Sequence, residues 1–184
     1  MQIFNARTTT VLDYACGAGL FSRELSPHVK SILGVDTVSQ KAVDQYNRQA
    51  STHGLSDKLN SLCVVLRGDG KLDGFTQQFD VVLCTMAYHH FGSPEDVTKI
   101  LASVVKPGGS LLIIDILADS TQNDFVKGEK YKHVAHRGGF NEGRMKDMFS
   151  AAGLVDFEMQ ELVSGLAIQE HTVTLFLTRG VKPL

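Results

Sequence analysis

Short apolar runs take turns with amphipathic stretches along this chain. Thr9 to Tyr14 is a short run with β-branched residues and reads as a buried strand. Leu20 to Leu25 starts a helix that Pro27 limits, and Ser31 to Val35 is a second strand ending at Asp36. Ser39 is placed to cap a helix through His53, with Ala42, Val43, Tyr46 and Ala50 on one face and Gly54 as its stop. Leu62 to Leu66 reads as a third strand. Phe79 to Cys84 is a fourth, nearly all apolar, as expected of a strand covered on both faces. Ser93-Pro94-Glu95-Asp96 opens a helix carrying Val97, Ile100, Leu101 and Val104, which Lys106-Pro107-Gly108-Gly109 ends. Ser110 to Ile116 is a fifth strand. Ala118 to Gly139 is polar and shows no apolar period. Asn141 caps a helix with Met145, Met148, Phe149 and Ala152 on one face, closed by Gly153. Leu154 to Val163 and His171 to Thr178 read as two final strands, with a loop at Ser164 and Gly165.

Strands alternate with helices, which demands parallel strands and crossover helices in a doubly wound α/β sheet. The last two strands are close enough in sequence to pair as an antiparallel edge hairpin. With 184 residues, 43% of them hydrophobic, one domain over residues 1–184 is the natural organisation.

Composition narrows the function classes. A net charge of −2 and a pI near 6.4 imply no broad basic face, which disfavours binding to a phosphate backbone. Cys16, Cys63 and Cys84 lie in or beside apolar runs and read as reduced thiols. Met1 to Thr10 has no apolar leader core, and no run approaches the roughly twenty apolar residues of a membrane span. A soluble cytoplasmic chain is expected, with no membrane and no nucleic-acid partner.

The chemistry starts at Val11-Leu12-Asp13-Tyr14-Ala15-Cys16-Gly17-Ala18-Gly19-Leu20, an apolar strand running through a G-x-G turn into a helix. Asp36 waits about twenty residues on, the wiring of a nucleotide-cofactor site. Its carboxylate can accept two hydrogen bonds from a ribose diol; capping the next helix is the other reading. A dinucleotide fingerprint wants a third glycine where this chain has Ser22, so the pyrophosphate of a nicotinamide cofactor loses support. Asp13 would repel a pyrophosphate and attract a cationic group such as an amino-acid ammonium. The turn favours a nucleoside carrying an amino acid. Cys16 and Cys84 read as small apolar fillers rather than nucleophiles, Lys106-Pro107-Gly108-Gly109 as a turn without chemistry, and no metal site is assigned.

Five segments in order make the chain resemble a class I S-adenosylmethionine-dependent methyltransferase of the small-molecule, ubiquinone-biosynthesis-like group. They are Val11 to Gly19, Gly34-Val35-Asp36, Gly68-Asp69-Gly70, Phe79-Asp80-Val81-Val82-Leu83-Cys84 and Lys106-Pro107-Gly108-Gly109-Ser110. Gly139-Phe140 and Ala151-Ala152-Gly153-Leu154 also match. The resemblance implies a Rossmann-like, seven-stranded sheet, mostly parallel with an antiparallel last strand. It implies in-line transfer of a methyl group from S-adenosylmethionine to a small-molecule acceptor. By position, Asp13 and the backbone of Ala15, Cys16, Gly17 and Gly19 would line the methionine part of that cofactor. Asp36 would hold the ribose. Asp69 would accept from the adenine amino group with the Gly70 N–H beside the ring, although aspartate is common in such turns without any ligand. Cys84, Thr85 and Met86 would pass under the sulfonium end. The adenine-stacking residue is open between Thr37 and Val38, because Thr37 occupies the place where the family usually has an apolar residue.

His90 and His89, just past the fourth strand, are the candidate catalytic bases; the bland reading packs one of them against the helix that follows. Thr85-Met86-Ala87-Tyr88 stands where nucleic-acid amino-methylating relatives often carry a Pro-Pro-Tyr-like motif, which points away from bases as acceptors. Residues 118–140 are expected to cover the acceptor. Lys127, Lys130, Lys132, His133, His136 and Arg137 there outnumber Asp119, Asp124 and Glu129, so one hypothesis is an anionic small acceptor and the alternative is a solvated loop. Family members usually have helices before the first strand that close over the site, and here only Met1 to Thr8 precede it. A partner chain supplying the closing element, a truncated domain, or a non-catalytic cofactor-binding subunit are the readings this raises.

Overall fold

The computed structural model describes residues 3–64, 77–118, 124, 126, 129–168 and 171–184, without the side chains of 130 and 171. In chain order the elements are β1 (Thr10–Tyr14), α1 (Leu20–Leu25), β2 (Ser31–Asp36), α2 (Gln40–Thr52), β3 (Leu59–Cys63), β4 (Phe79–Thr85), α3 (Pro94–Ser103), β5 (Val105–Ile116), α4 (Glu142–Ala151), β6 (Val155–Ile168) and β7 (His171–Val181). The strands form one seven-stranded sheet in the order β3-β2-β1-β4-β5-β7-β6. The pairs from β3 through β5 are parallel, and β7 runs antiparallel to both β5 and β6. The order reverses between β1 and β4, which opens a crevice beyond the C-terminal ends of those strands.

Alternation along the central strands sorts the core into two layers. Val11, Val81, Leu83 and Leu112 pack with Leu25 of α1 and with Tyr46 and Ala50 of α2. Leu12, Tyr14, Val82, Cys84, Leu111 and Ile113 face the other way, onto Val97, Ile100 and Leu101 of α3 and Met145, Met148 and Phe149 of α4. Both faces are thus covered by apolar helix stripes. At the end of the sheet away from the crevice, Asp80 fastens β1 to β4 and β5: it accepts from the Thr10 N–H at 2.8 Å and from Lys106 Nζ at 2.9 Å. Partial burial works against ionisation there, but Lys106 and Thr10 together hold the carboxyl below its usual range.

Several boundaries differ from the sequence pattern. The third strand is Leu59–Cys63 rather than Leu62 to Leu66, because parallel pairing with β2 begins at Ile32 opposite Leu59; residues 65 and 66 lie outside the described residues. The turn expected at Lys106-Pro107-Gly108-Gly109 lies inside β5, absorbed as a register shift between Phe79 and Val81 of β4 with Gly108 at φ +76°. The loop expected at Ser164 and Gly165 is likewise inside β6, where the register shifts between Val163 and Leu166 around Gly165 at φ +73°. The polar stretch after Ala118 hides an apolar cluster: Val126, Tyr131 and Val134 pack on Ile114, Ile116, Val173 and Leu175.

Candidate active site

Three consecutive alternate residues, Ala15, Gly17 and Gly19, have left-handed φ of 59°, 51° and 74°, and this coils the chain between β1 and α1. The Cys16 N–H donates to the Val35 carbonyl at 3.1 Å and ties the coil to β2. The two glycines are required for different reasons. A Cβ on Gly19 would lie 2.3 Å from the Tyr46 ring, so this glycine lets α1 and α2 close on each other. A Cβ on Gly17 would meet no atom of the described residues within 4 Å. Its backbone demands the left-handed conformation and leaves open space in front of it.

Asp36 stands beside that space, half-buried at the end of β2. One oxygen accepts from the Gly17 N–H at 3.3 Å; the other accepts from Val38 N–H at 3.0 Å and Ser39 N–H at 2.9 Å. The cap of α2 is Ser39, whose hydroxyl accepts from the Ala42 N–H at 3.2 Å. Asp36 therefore folds the turn before the helix while Ser39 caps the helix itself. Beyond it Val38 is 91% exposed and Thr37 half-buried.

Asp13 is buried beneath the coil. Its carboxyl is 1% exposed and accepts from the Ser22 hydroxyl at 2.5 Å, while Oδ1 is buried with no partner among the described residues. Burial pushes its pKa up to about 6, although the Ser22 hydrogen bond works the other way. Ser22, noted in the sequence only as a missing glycine, is thus the partner of the buried acid. Cys16 is half-buried against Gly34, and burial raises its thiol pKa, with Asp13 adding to the rise.

Across the switch point, Cys84 is fully buried in the core and can offer a ligand only its backbone; burial raises its thiol pKa well above the usual value. Thr85 and Met86 are half-buried at the strand end, with Met86 left-handed at φ 52°. Asp69 and Gly70 lie outside the described residues, as does part of the stretch 118–140.

The chain then turns through Tyr88–His90. Tyr88 is buried against Thr98 and Phe140, and it anchors the turn. His89 is buried, and its Nδ1 lies 2.8 Å from Oδ1 of Asp115. His90 is exposed, stacks on His133 at 5.4 Å, and its Nδ1 donates to the His133 carbonyl at 3.2 Å. Partial burial lowers its pKa from the usual imidazole value, and the adjacent His89 ring lowers it further. His136 closes the loop over the turn: its N–H donates to the His89 carbonyl at 2.9 Å and its Nε2 to the Phe91 carbonyl at 3.0 Å. Arg144 holds His136 from α4 at 3.3 Å, pairs with Glu95 of α3 at 2.9 Å, and lies 5.0 Å over the Phe140 ring.

Sequence reading missed Asp115 and Arg144, and it named His136 only as one of the basic residues of the stretch 118–140. Asp115 had a visible signal, a lone acid inside the apolar strand Leu111 to Ile116. Arg144 had none, nor did the place of His136 over the turn, because only the fold brings a loop and a helix end there.

The glycine coil after β1 and the histidine turn after β4 thus stand on adjacent strands at the switch point of one α/β sheet. A family model described as a methyltransferase domain matches residues 2–158, and the chain belongs to that family. It is 35% identical over 158 residues to the uncharacterized methyltransferase C1347.09 of Schizosaccharomyces pombe, a match covering 82% of this chain and 55% of that one. It is 32% identical over 131 residues to a ubiquinone biosynthesis O-methyltransferase of Coxiella burnetii, covering 71% and 51%. The chain thus spans about half the length of the curated relatives it matches. Among solved structures, the YcgJ protein of Bacillus subtilis superposes with a TM-score of 0.74 at 20% identity, covering 98% of this chain and 94% of that one. Phosphoethanolamine N-methyltransferase 2 of Haemonchus contortus gives 0.71 at 14% identity, covering 96% and 49%. These likenesses show the Rossmann-like methyltransferase fold that the sequence implied.

Proposed function

We propose that the domain binds S-adenosylmethionine in the crevice beyond β1 and β2 and passes its methyl group to a small-molecule acceptor over the ends of β4 and β5. The observation that carries this is the space that the described residues leave open in front of Gly17, bordered by the half-exposed carboxylate of Asp36. A nucleoside can lie against bare backbone there, and Asp36 can accept from its ribose hydroxyls. The exposed Val38, with Thr37 as the alternative, offers a surface for the adenine. Asp69 and Gly70 are assigned to the far edge of that ring by the family resemblance. The backbone of Ala15, Cys16, Gly17 and Gly19 lines the amino-acid part, and Oδ1 of Asp13, which has no partner among the described residues, gives that region a negative floor. Cys84 to Met86 border the reacting end.

When bound, S-adenosylmethionine supplies a methyl carbon already activated by a sulfonium, so the work left to the chain is alignment and exclusion of water. His89 and His90 supply proton-accepting nitrogens on the acceptor side. Residues 118–140 cover the acceptor, and their surplus of basic side chains suits an anionic one. The relatives named for ubiquinone biosynthesis and the structural neighbour solved with S-adenosylhomocysteine support this reading. The acidic pI and the Thr85-Met86-Ala87-Tyr88 sequence argue against a nucleic-acid acceptor. Among the described residues no helix is long and apolar enough to cross a membrane, and a cytoplasmic site of action belongs to the same proposal. A partner chain is a further part of it: one structural neighbour is a complex of the Haloferax volcanii Trm112 methyltransferase activator with a methyltransferase.

Calorimetric titration with S-adenosylhomocysteine tests the proposal. Binding is expected, and Asp36→Ala weakens it by about thirty-fold, the loss of hydrogen bonds to a charged group worth on the order of 2 kcal/mol. Tight binding of NAD with none of S-adenosylhomocysteine would reverse the choice of cofactor. Binding without turnover across a broad acceptor panel would turn the reading toward a non-catalytic subunit.

A further inference from the structure

His136 ties the segment between the buried residues Val134 and Phe140 to the turn after β4 and to α4. Its N–H donates to the His89 carbonyl at 2.9 Å, its Nε2 lies 3.0 Å from the Phe91 carbonyl, and its Nδ1 lies 3.3 Å from Nη1 of Arg144. A carbonyl only accepts and a guanidinium only donates. Both partners therefore demand the same ring, neutral, with its proton on Nε2 and its lone pair on Nδ1. A second proton has only Nδ1 to go to, where it meets Arg144 donor to donor and cation to cation.

Arg144 is the firmer side of that contact. Its Nε and Nη2 donate to Oε1 of Glu95 at 3.3 and 2.9 Å, and its guanidinium lies 5.0 Å over the buried Phe140 ring. Slight burial works against ionisation of Glu95, but Arg144 holds that carboxyl below its usual range, so the pair persists as pH falls. The Glu95 carboxylate favours a charged His136, yet Arg144 is the group in direct contact with the ring. The turn contributes His89 and His90, and His133 and Arg137 flank His136 in its own segment. The ring tie from Nδ1 of His90 to the His133 carbonyl at 3.2 Å donates in either charge state of His90.

We propose that Arg144 and His136 form a pH-sensitive clasp, closed over the turn after β4 while His136 is neutral and released when its Nδ1 takes up a proton. Arg144 stays on Glu95, the imidazolium turns away from it, and Nε2–H leaves the Phe91 carbonyl. Residues 135–139 then lose their side-chain anchorage to α4 and to the turn. The clasp itself does not depend on the methyltransferase reading; its place on the acceptor side does.

Amide exchange and long-range proton–nitrogen spectra of the full chain test the clasp without any ligand. A histidine changes charge between about pH 5 and 8, so the ends of that interval are compared. At about pH 8 the His136 ring, assigned through the backbone, is expected to carry its proton on Nε2. Protection of the His136 and Gly139 amides, taken relative to the amides of β5, is expected to fall by about ten-fold or more at about pH 5. In His136→Gln the side-chain amide can donate to Phe91 and its oxygen can accept from Arg144 without titrating. The amides at 136 and 139 of that variant are expected to stay protected at both values. A wild-type ring protonated at Nδ1 on the alkaline side overturns the proposal. So does equal wild-type protection at the two values, or a His136→Gln variant that loosens in acid as the wild type does. The wild-type measurements decide it even where His136→Gln does not fold. Failure to bind S-adenosylhomocysteine strikes the methyltransferase reading instead and leaves the clasp standing.

Discussion

The two ends of the crevice are built by different means. At the β1–β2 end the hydrogen bonds of the two acids span at most 19 residues: Asp13 accepts from Ser22 nine residues on, and Asp36 from Val38 and Ser39 two and three residues on and from Gly17 19 residues back. At the β4–β5 end they are long: His89 meets Asp115 across 26 residues, His136 meets Phe91 across 45, and Arg144 meets Glu95 across 49. The first end is a backbone device, shaped by left-handed residues. The second is a convergence of side chains from a turn, a strand, a loop and two helices. A cofactor common to a whole family can be met by backbone, whereas an acceptor particular to one protein is met by side chains that vary.

Substitutions sharpen that contrast, and the two glycines give its largest and one of its smaller effects. Gly19→Ala is expected to cost about 3 kcal/mol or more, because it combines left-handed strain with a Cβ driven into Tyr46. Urea denaturation measures it, and a loss near 1 kcal/mol would show that Tyr46 can move aside. Asp13→Asn comes next and acts in the opposite direction. Asp13 binds its proton more tightly in the folded state, so its contribution to stability is full below its usual pKa of 3.8 and lost as pH rises through about 6. That interval corresponds to about 3 kcal/mol at neutral pH. The amide removes the penalty, so Asp13→Asn is expected to be more stable than the wild type at pH 8 and no more stable at pH 4. Thermal melts at the two values check this, and weaker S-adenosylhomocysteine binding in the same variant would tie the buried charge to the ligand.

Gly17→Ala is expected to cost only about 1–2 kcal/mol of stability, the strain alone, since none of the described residues crowds its Cβ. Its larger effect falls on ligand affinity, because the methyl group fills the space in front of the coil. Equal losses of affinity in Gly17→Ala and Gly19→Ala at matched stability would erase the distinction drawn between them. The smallest effect is at the far end. Arg144 and Glu95 are both substantially solvent-exposed, so Arg144→Leu is expected to cost about 1 kcal/mol or less. Hydrogen exchange at the His136 and Gly139 amides should nevertheless rise, because Arg144 holds that loop through His136.

The legibility of this protein follows the same division. The glycine coil, the acid at the end of the second apolar run and the serine cap of α2 were readable, because each is encoded within one turn of its neighbours. The start of β3 was not, since pairing with β2 chose it over the local apolar run. Gly108 and Gly165 read as punctuation, yet each lies inside a strand, because cross-strand hydrogen bonds carry the strand through a bulge. Ser22 was visible only as a departure from a fingerprint, and its bond to Asp13 depends on how α1 lies over β1.

The sequence by itself determined the alternation of strands and helices, the glycine turn after β1 and the family to which the chain belongs, because turn chemistry and hydrophobic period are local properties. The tertiary structure alone decided that Asp13 is buried while Asp36 faces the crevice, that His89 rather than His90 meets a carboxylate, and that Arg144 and His136 close on the turn after β4. Those facts depend on which side chains a folded sheet brings within 3–4 Å of one another, and no spacing along the chain specifies a contact that crosses between elements packed only after the core has formed.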